Sequence, residues 1–363
     1  MAAELNRKLV LENGTEHLGT GFGASRDAVC ELVFNTAMIG YQEVVSDPGC
    51  TGQMVLMTYP LIGNYGMTDD DYESRLPTIG GLVVREYNDL PSNFRATKTL
   101  GEILEENNIP GIQGVDTRQI CRMLRKEGTQ RALLCNADMP LETAMKHIRA
   151  YSPPADLVAK VSCKKNWYAR TSNPRLQVVA VDCGIKSSIV RRLKKAGCNV
   201  TIVPYNTSAE NILSFHPNGV IYTGGPGTVE HIPGVVEEAK KLLGKVPLFG
   251  IALGHQVLSV ACGAKIIPLK QPHNGGNHPV RDLRTQKVII ASQGHSHAVD
   301  PNSLEGTGLV QTHVDLLDNS CQGVASTQHN LFSVQYQPES APGPQDSLYL
   351  FDDFVDMMEK EAL

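Results

Sequence analysis

The sequence predicts a mixed α/β protein, in which an α+β domain precedes a doubly wound parallel-sheet domain. In the C-terminal half, buried strand patterns alternate with helical patterns, as in a strand over 177–182 followed by a helix over 187–195. Parallel strands need crossover connections of this length, so the alternation indicates a parallel sheet with helices on its faces. The N-terminal half instead shows short strand patterns separated by glycine and proline turns.

The chain is long enough for two hydrophobic cores, since domains usually contain 100 to 200 residues. We expect an N-terminal domain over 1–152, a linker over 153–176 and a C-terminal domain over 177–363. The linker begins at Pro153 and Pro154, where apolar periodicity is lost, and it contains the single tryptophan of the chain.

The predicted elements follow the apolar patterns in order. In the N-terminal half, strands are expected over 8–12, 31–35, 54–58 and 81–84, and helices over 100–107 and 117–127. In the C-terminal half, further strands are expected over 199–204, 219–222 and 247–251, with a short helix and a helix over 235–243 between them. Doubly wound sheets bind ligands at the carboxyl ends of their strands, which directs attention to 182–186, 223–228 and 252–256.

Charge and hydropathy exclude several classes of partner. The net charge of −5 provides no bulk positive field for nucleic acid or anionic lipid. No run of eighteen apolar residues occurs, and the first residues lack the apolar stretch of a signal peptide, so we expect a cytoplasmic protein. The nine cysteines show no CxxC spacing, which favours free thiols over a structural metal site.

The segment 247–256 has the pattern of a nucleophile elbow. It reads PLFGIALGHQ, a strand running into a helix, with Gly250 and Gly254 two residues on either side of Ala252. At such an elbow a strained turn exposes one side chain, and the next backbone N–H faces a forming oxyanion. Alanine has no nucleophilic atom. The two glycines alone are equally consistent with an ordinary strand-to-helix turn.

Longer phrases in both halves of the chain resemble the glutamine-hydrolysing small subunit of carbamoyl phosphate synthetase, from about residue 9 to 358. In the N-terminal half they are FNTAMIGYQEVVSDP (34–48), TYPLIGNYG (58–66) and GIQGVDTRQI (111–120). In the C-terminal half they are VDCGIK (181–186), GGPG (224–227), PLFGIALGHQ (247–256), GGNHPV (275–280) and FSVQYQPESAPGP (332–344). The resemblance implies a small-subunit domain that contacts a partner, followed by a glutamine amidotransferase-like domain.

The resemblance also implies a Cys–His–Glu triad that hydrolyses glutamine. Its cysteine falls on Ala252, its histidine on Gln337 and its glutamate on Glu339. An amide cannot act as a base near neutral pH, and losing one triad member removes most of the rate. We therefore expect no glutaminase activity from this chain.

The positions that the resemblance assigns to glutamine binding are partly changed. Those that match the family are Gly225, Gly227, Leu253 and Gln256, and those that depart from it are Gly49, Gly294, Ser296 and His297. Each lost hydrogen bond is worth roughly 0.5–1.5 kcal/mol, so glutamine binding should be weak or absent.

Two other chemistries are weighed at this stage. His295 and His297 form an H-x-H pair near His273 and His278, but no carboxylate or cysteine sits beside the pair at ligand spacing, so no metal is expected. Cys50, next to Gly49, could be a displaced nucleophile, although a packed neutral thiol is the commoner role of a lone cysteine.

Three functions stay open on the sequence. The first is a structural or regulatory subunit, without cofactor, of a ligase whose large ATP-using subunit makes carbamoyl phosphate from ammonia for pyrimidine or arginine biosynthesis. The second is an active small subunit carrying an engineered Cys-to-Ala change, which Gln337 does not fit. The third is a free-standing binding protein with a reused pocket.

Overall fold

The computed structural model describes residues 5–361, which group into two compact units. The first unit extends to Pro154 and includes Lys270–Gly275, and the second contains Ala155–Leu269 and the residues from Gly276 onward. Among the described helices, none is both long and apolar enough to cross a membrane.

The first unit contains nine strands and four α-helices within its described part. In chain order they are β1 Arg7–Leu11, β2 Glu16–Gly23, β3 Ala28–Asn35, α1 Tyr41–Val45, β4 Met54–Met57, β5 Leu61–Ile62, β6 Gly81–Val83, β7 Glu86–Tyr87, α2 Leu100–Glu106, β8 Pro110–Gln113, α3 Thr117–Glu127, β9 Gln130–Asn136 and α4 Leu141–Ala150.

Seven of these strands form a closed barrel in the order β1-β2-β8-β6-β4-β3-β9. β1 closes it by antiparallel pairing with β9, whereas β3, β4, β6 and β8 pair in parallel. Leu9, Leu11 and Leu32 are fully buried in its main apolar cluster. The predicted strands at 8–12, 31–35, 54–58 and 81–84 are confirmed, and every residue of β1, β4 and β6 is buried.

The second unit contains the remaining elements. They are α5 Leu157–Val161, β10 Trp167–Ala169, β11 Leu176–Asp182, α6 Ser187–Lys195, β12 Cys198–Pro204, α7 Ala209–Ser214, β13 Gly219–Tyr222, α8 Pro233–Lys240, β14 Leu248–Ile251, α9 Leu253–Ala261, β15 Ile266–Asp282, β16 Val288–Val299, β17 Val310–Asp315, β18 Cys321–Ser326, β19 Leu331–Val334 and α10 Tyr349–Glu361. The middle of β15 is the stretch that groups with the first unit.

A ten-stranded sheet in the order β10-β12-β11-β13-β14-β19-β18-β16-β15-β17 forms the centre of the second unit. Its five consecutive strands from β12 to β19 are parallel. The apolar side chains of α7, α8 and α9 belong to one core cluster and those of α6 and α10 to another. The predicted doubly wound arrangement is therefore confirmed.

Two parts of the second unit differ from the elements expected from sequence. The predicted linker over 153–176 contains helix α5 and strand β10, and β10 pairs antiparallel with β12. The parallel sheet also continues into an antiparallel region from β18 to β17. β15 is exposed or half-buried at most positions, so its sequence has no clear apolar alternation.

Candidate active site at the turn after β14

The turn after β14 has the backbone geometry of a nucleophile elbow. β14 ends at Ile251 and α9 begins at Leu253, so Ala252 alone makes the turn, with φ 51° and ψ −108°. Side-chain-bearing residues rarely occupy this region, and such conformations cost about 1–3 kcal/mol. The Ala252 amide donates a hydrogen bond to the Val334 carbonyl at 2.9 Å, which ties the turn to β19.

Gly250 and Gly254 are required by close backbone approach. A Cβ on Gly254 would lie 2.1 Å from the Tyr222 carbonyl oxygen, and a Cβ on Gly250 would lie 2.7 Å from the Gly254 carbonyl oxygen. Either side chain would push α9 away from the strands beneath it. The glycine pattern is therefore a packing requirement of this turn, which favours the elbow over an unspecialised connection.

The loop after β13 lies directly beside the elbow. The Gly254 amide donates to the Thr223 carbonyl at 3.1 Å. Gly225 is packed so closely that a Cβ there would lie 2.1 Å from the Cys183 carbonyl oxygen and 3.2 Å from the Leu253 side chain. Two of the expected binding positions, Gly225 and Leu253, are thus brought together at the start of α9.

Gly227 and Gln256 have different roles, in the loop after β13 and in α9. Gly227 has φ 81°, a conformation that favours glycine. Gln256 is buried one turn into α9, where its side-chain amide donates to the Gln335 side chain at 3.2 Å. Gln256 therefore already has a protein partner.

Gln337 and Glu339 follow the end of β19. Because β19 pairs in parallel with β14, this segment leaves the sheet next to the elbow. The backbone N–H of Gln337 donates a hydrogen bond to the Ser292 carbonyl oxygen at 2.9 Å. A Cβ added to Gly294 would lie 3.9 Å from the side-chain nitrogen of Gln337, so these two candidate positions face each other.

Lys186 belongs to this site, although sequence reasoning assigned it no role. Its ammonium lies 2.9 Å from a carboxylate oxygen of Glu339, and both side chains are almost completely buried. It also donates to the Ala341 carbonyl at 2.6 Å and to the Gln337 side-chain oxygen at 3.4 Å. The available signal was its place at the end of VDCGIK, directly after β11.

His295 lies between two oxygen atoms of the protein. Its Nδ1 lies 2.8 Å from the His297 carbonyl oxygen, and its Nε2 lies 2.9 Å from the Gln293 side-chain oxygen. The Gln293 amide donates in turn to Asp315 at 3.1 Å. Both ring nitrogens thus serve protein contacts, and the ring fixes the backbone of β16 beside the site.

The other three histidines lie in different surroundings. Ser296 contacts the His297 Nδ1 at 3.0 Å, and burial lowers the pKa of His297 although the charge of Glu230 opposes this. His278 Nδ1 lies 3.7 Å from Asp315, a carboxylate that sequence spacing did not place there. His273 lies in the stretch of β15 that groups with the first unit, where it is buried.

Gly49 and Cys50 lie in a 3₁₀ turn of the first unit, Pro48–Cys50. The Asp47 carboxylate accepts a hydrogen bond from the Gly49 amide at 2.7 Å, which fixes this turn. Cys50 is half-buried. In the second unit, Cys183 follows β11, and burial raises the pKa of its thiol, which suits packing and not nucleophilic attack.

Comparison with known proteins assigns both halves of the chain to families. The model of the carbamoyl-phosphate synthase small chain, CPSase domain, matches residues 9–134, and the class-I glutamine amidotransferase model matches residues 179–357.

Curated relatives are similar over almost the whole length. A carbamoyl phosphate synthase small chain of Listeria innocua is 46% identical, with 97% of this chain and 96% of the relative covered. A carbamoyl phosphate synthase small chain of Fusobacterium nucleatum is 47% identical, with 96% and 97% covered. A pyrimidine-specific small chain of Halalkalibacterium halodurans is 45% identical, with 98% of each covered. The chain therefore belongs to the carbamoyl phosphate synthase small-chain family and carries a class-I glutamine amidotransferase domain.

Proposed function

We propose that this chain is a small subunit of carbamoyl phosphate synthase that does not hydrolyse glutamine and acts as a structural or regulatory subunit. The observation that carries the proposal is the residue at the elbow. Ala252 occupies a strained turn whose surroundings are built for a nucleophile, yet its methyl group can neither attack an amide nor give up a proton.

The contacts of Gln337 and Glu339 support the same conclusion. A general base must accept a proton from the nucleophile, and the side-chain carboxamide of Gln337 cannot do this near neutral pH. Its side-chain oxygen instead accepts a hydrogen bond from Lys186. Glu339, whose role in the family triad is to orient the base, is paired with the same ammonium group. Gln337 and Glu339 are therefore engaged by one buried lysine, in an arrangement that suits packing of the core and not catalysis.

The positions expected to hold glutamine add a third line of support. Gly294 has no side chain to donate or accept a hydrogen bond. Ser296 contacts the ring of its neighbour His297, and Gln256 is engaged by Gln335. We infer that glutamine binds weakly, because the groups that would fix its ends are absent or already engaged.

The partner we propose is a large ATP-using synthase subunit. Because this chain would release no ammonia from glutamine, free ammonia would have to be the nitrogen source of that subunit. The test mixes the chain with the large subunit of its own host and assays carbamoyl phosphate formation from ammonia and from glutamine. We expect a stable complex that uses ammonia only. Glutamate release by the purified chain, persisting after contaminating glutaminases are removed, would overturn the loss of activity. Absence of a complex at micromolar concentrations in size-exclusion chromatography would overturn the subunit role.

A further inference from the structure

Positive charge is concentrated in one segment of the second unit. Between residues 157 and 209 the chain has ten lysine and arginine residues and one acidic residue, Asp182, although the whole chain has a net charge of −5. Asp182 and Lys186 are both buried, so the surface charge of the segment comes from the other nine basic residues. The basic residues of the segment are Lys160, Lys164, Lys165, Arg170, Arg175, Lys186, Arg191, Arg192, Lys194 and Lys195.

The segment forms one edge of the ten-stranded sheet. β10 is the terminal strand, and within residues 5–361 it pairs on one side only, with β12. Ala169 of β10 packs against the same apolar cluster as Ile189 and Leu193 of α6. The lysines and arginines of α6 therefore lie on the sheet face next to this edge. The backbone N–H and C=O groups on the outer side of β10 are available for a further strand.

Two aromatic side chains are exposed on this edge. Trp167 is 40% exposed and Tyr168 is 58% exposed, and as neighbours in a strand they point to opposite faces of the sheet. Tryptophan and tyrosine are enriched where proteins bind proteins, because they offer large rigid contact areas with a polar group. An added strand would meet one aromatic ring on each face.

Basic side chains flank these aromatics on both sides. In the part of the chain that the structure describes, Lys165 and Arg170 form no ion pair, and both are exposed. At the ends of the segment the charges are partly neutralised, because Lys160 pairs with Asp156 and Arg175 pairs with Glu359. Uncompensated positive charge therefore lies directly beside Trp167 and Tyr168.

We propose that β10 is a docking edge for an acidic, extended protein segment, which adds to the sheet as an eleventh strand. This goes beyond the proposed function and does not depend on the state of the glutaminase site. Lysines beside a short edge strand ordinarily discourage pairing, but they attract a strand that carries acidic side chains. A single-stranded nucleic acid could use the charge and the rings, but it has no peptide groups to pair with the strand edge, and the rest of the chain repels it.

The test uses the full chain and the fluorescence of Trp167, the only tryptophan present. The probe is a ten-residue peptide of alternating glutamate and threonine. We expect a saturable blue shift of Trp167 emission that weakens as salt is added, because screening reduces attraction between exposed charges. A peptide with glutamine in place of glutamate should not bind. A peptide with N-methyl groups on every backbone nitrogen keeps every charge but cannot donate hydrogen bonds to the strand, and should bind at least about tenfold more weakly.

Charge-reversal variants locate the binding. The double variant Lys165→Glu with Arg170→Glu should bind the acidic peptide at least about tenfold more weakly than the unchanged chain. The matched control, Lys245→Glu with Lys287→Glu, makes the same change in net charge at exposed positions elsewhere in the unit and should leave the affinity unchanged. Circular dichroism and Tm confirm that both variants are folded.

Three results would overturn the proposal. No emission change up to millimolar peptide would show that the edge does not bind. An equal loss of peptide affinity in the control variant would mean that the peptide is attracted by the overall charge of the chain and not by this edge. Equal binding of the N-methylated peptide, or tighter binding of a thymidine oligonucleotide, would mean that no strand is added.

Discussion

The ammonium group of Lys186 lies 2.9 Å from the carboxylate of Glu339, and this pair occupies the core beside the elbow. Glu339 is the position at which the resemblance implies a retained triad glutamate, so its carboxylate is the charge that we expect to remain from the implied catalytic machinery. In the absence of a histidine at 337, Lys186 supplies the compensating positive charge. A buried carboxylate without a charged partner is costly, so the Lys186 ammonium stabilises Glu339. A hydrogen bond from the same ammonium to the Ala341 carbonyl oxygen satisfies a second of its donors.

The Lys186 and Glu339 pair should be important for stability. We expect Lys186→Met to lower the free energy of unfolding by about 3–5 kcal/mol, because it leaves the Glu339 charge buried and uncompensated. Urea denaturation followed by circular dichroism measures the change.

Two further variants show whether the buried charge causes this decrease in the free energy of unfolding. Lys186→Met combined with Glu339→Leu should recover most of the stability, since no isolated charge then remains in the core. Lys240→Met, which removes an exposed pair with Glu237 on α8, should change stability by less than about 1 kcal/mol. A single Lys186→Met variant as stable as Lys240→Met would show that the buried pair contributes little.

The strain at Ala252 should be relieved by removing its side chain. At φ 51° and ψ −108° an alanine Cβ is unfavourable, whereas glycine adopts such angles readily. We expect Ala252→Gly to raise the free energy of unfolding by about 1 kcal/mol despite the greater entropy of glycine in the unfolded chain. The same change at Ala261, within α9, should lower it by a similar amount. A destabilised Ala252→Gly variant would mean that the turn is not strained.

Local apolar patterns were sufficient to predict most of the fold. The predicted strand over 177–182 and helix over 187–195 coincide with β11 and α6, because β11 is an almost continuously buried apolar run and α6 repeats its apolar residues against the same core. β10 was missed because three residues are too few to show a period of two. β15 was missed because its exposed surface carries no apolar pattern.

The candidate site shows a similar division between local and long-range information. Ala252 and its two glycines were identified because the elbow lies within ten residues of sequence, 247–256. Lys186 was not, because it meets Glu339 only after β11 and β19 are placed in one sheet. Asp315 near His278 was missed for the same reason, since β15 and β17 pair across a long connection.

Acid should destabilise the second unit through two buried histidines. Burial lowers the pKa of His313 to about 4 and that of His255 to about 3, whereas an unfolded histidine titrates near about 6.5. Below pH of about 6.5 the unfolded chain therefore binds protons that the native chain does not. The stability contribution is complete above this pH and is lost as the pH falls toward 4.

We expect His313 alone to account for a loss of about 3 kcal/mol over this interval, measured by urea denaturation at a series of pH values. His313→Gln should flatten the profile, and His147→Gln, at an exposed position on α4, should not. An unchanged profile in His313→Gln would contradict a titrating role for this side chain.

The last prediction concerns repair of the glutaminase site. Ala252→Cys with Gln337→His restores a nucleophile and a base over Glu339, so an otherwise intact site would recover the activity of an ordinary family member. We expect the double variant to stay at least about a hundredfold lower in kcat/KM, which is about 2.7 kcal/mol of transition-state stabilisation. One reason lies in the site itself, where Glu339 is already paired with Lys186 and is poorly placed to orient a new histidine. The other is that the changed binding positions, such as Gly294, cannot hold glutamine, and a misplaced substrate forfeits much of the roughly 7–11 kcal/mol that good orientation provides. Glutaminase kinetics of the single Ala252→Cys variant and the double variant test this, with glutamine concentration varied so that binding and turnover are separated. Ordinary activity in either variant would show that the substrate pocket is sound and that only the catalytic side chains had been lost.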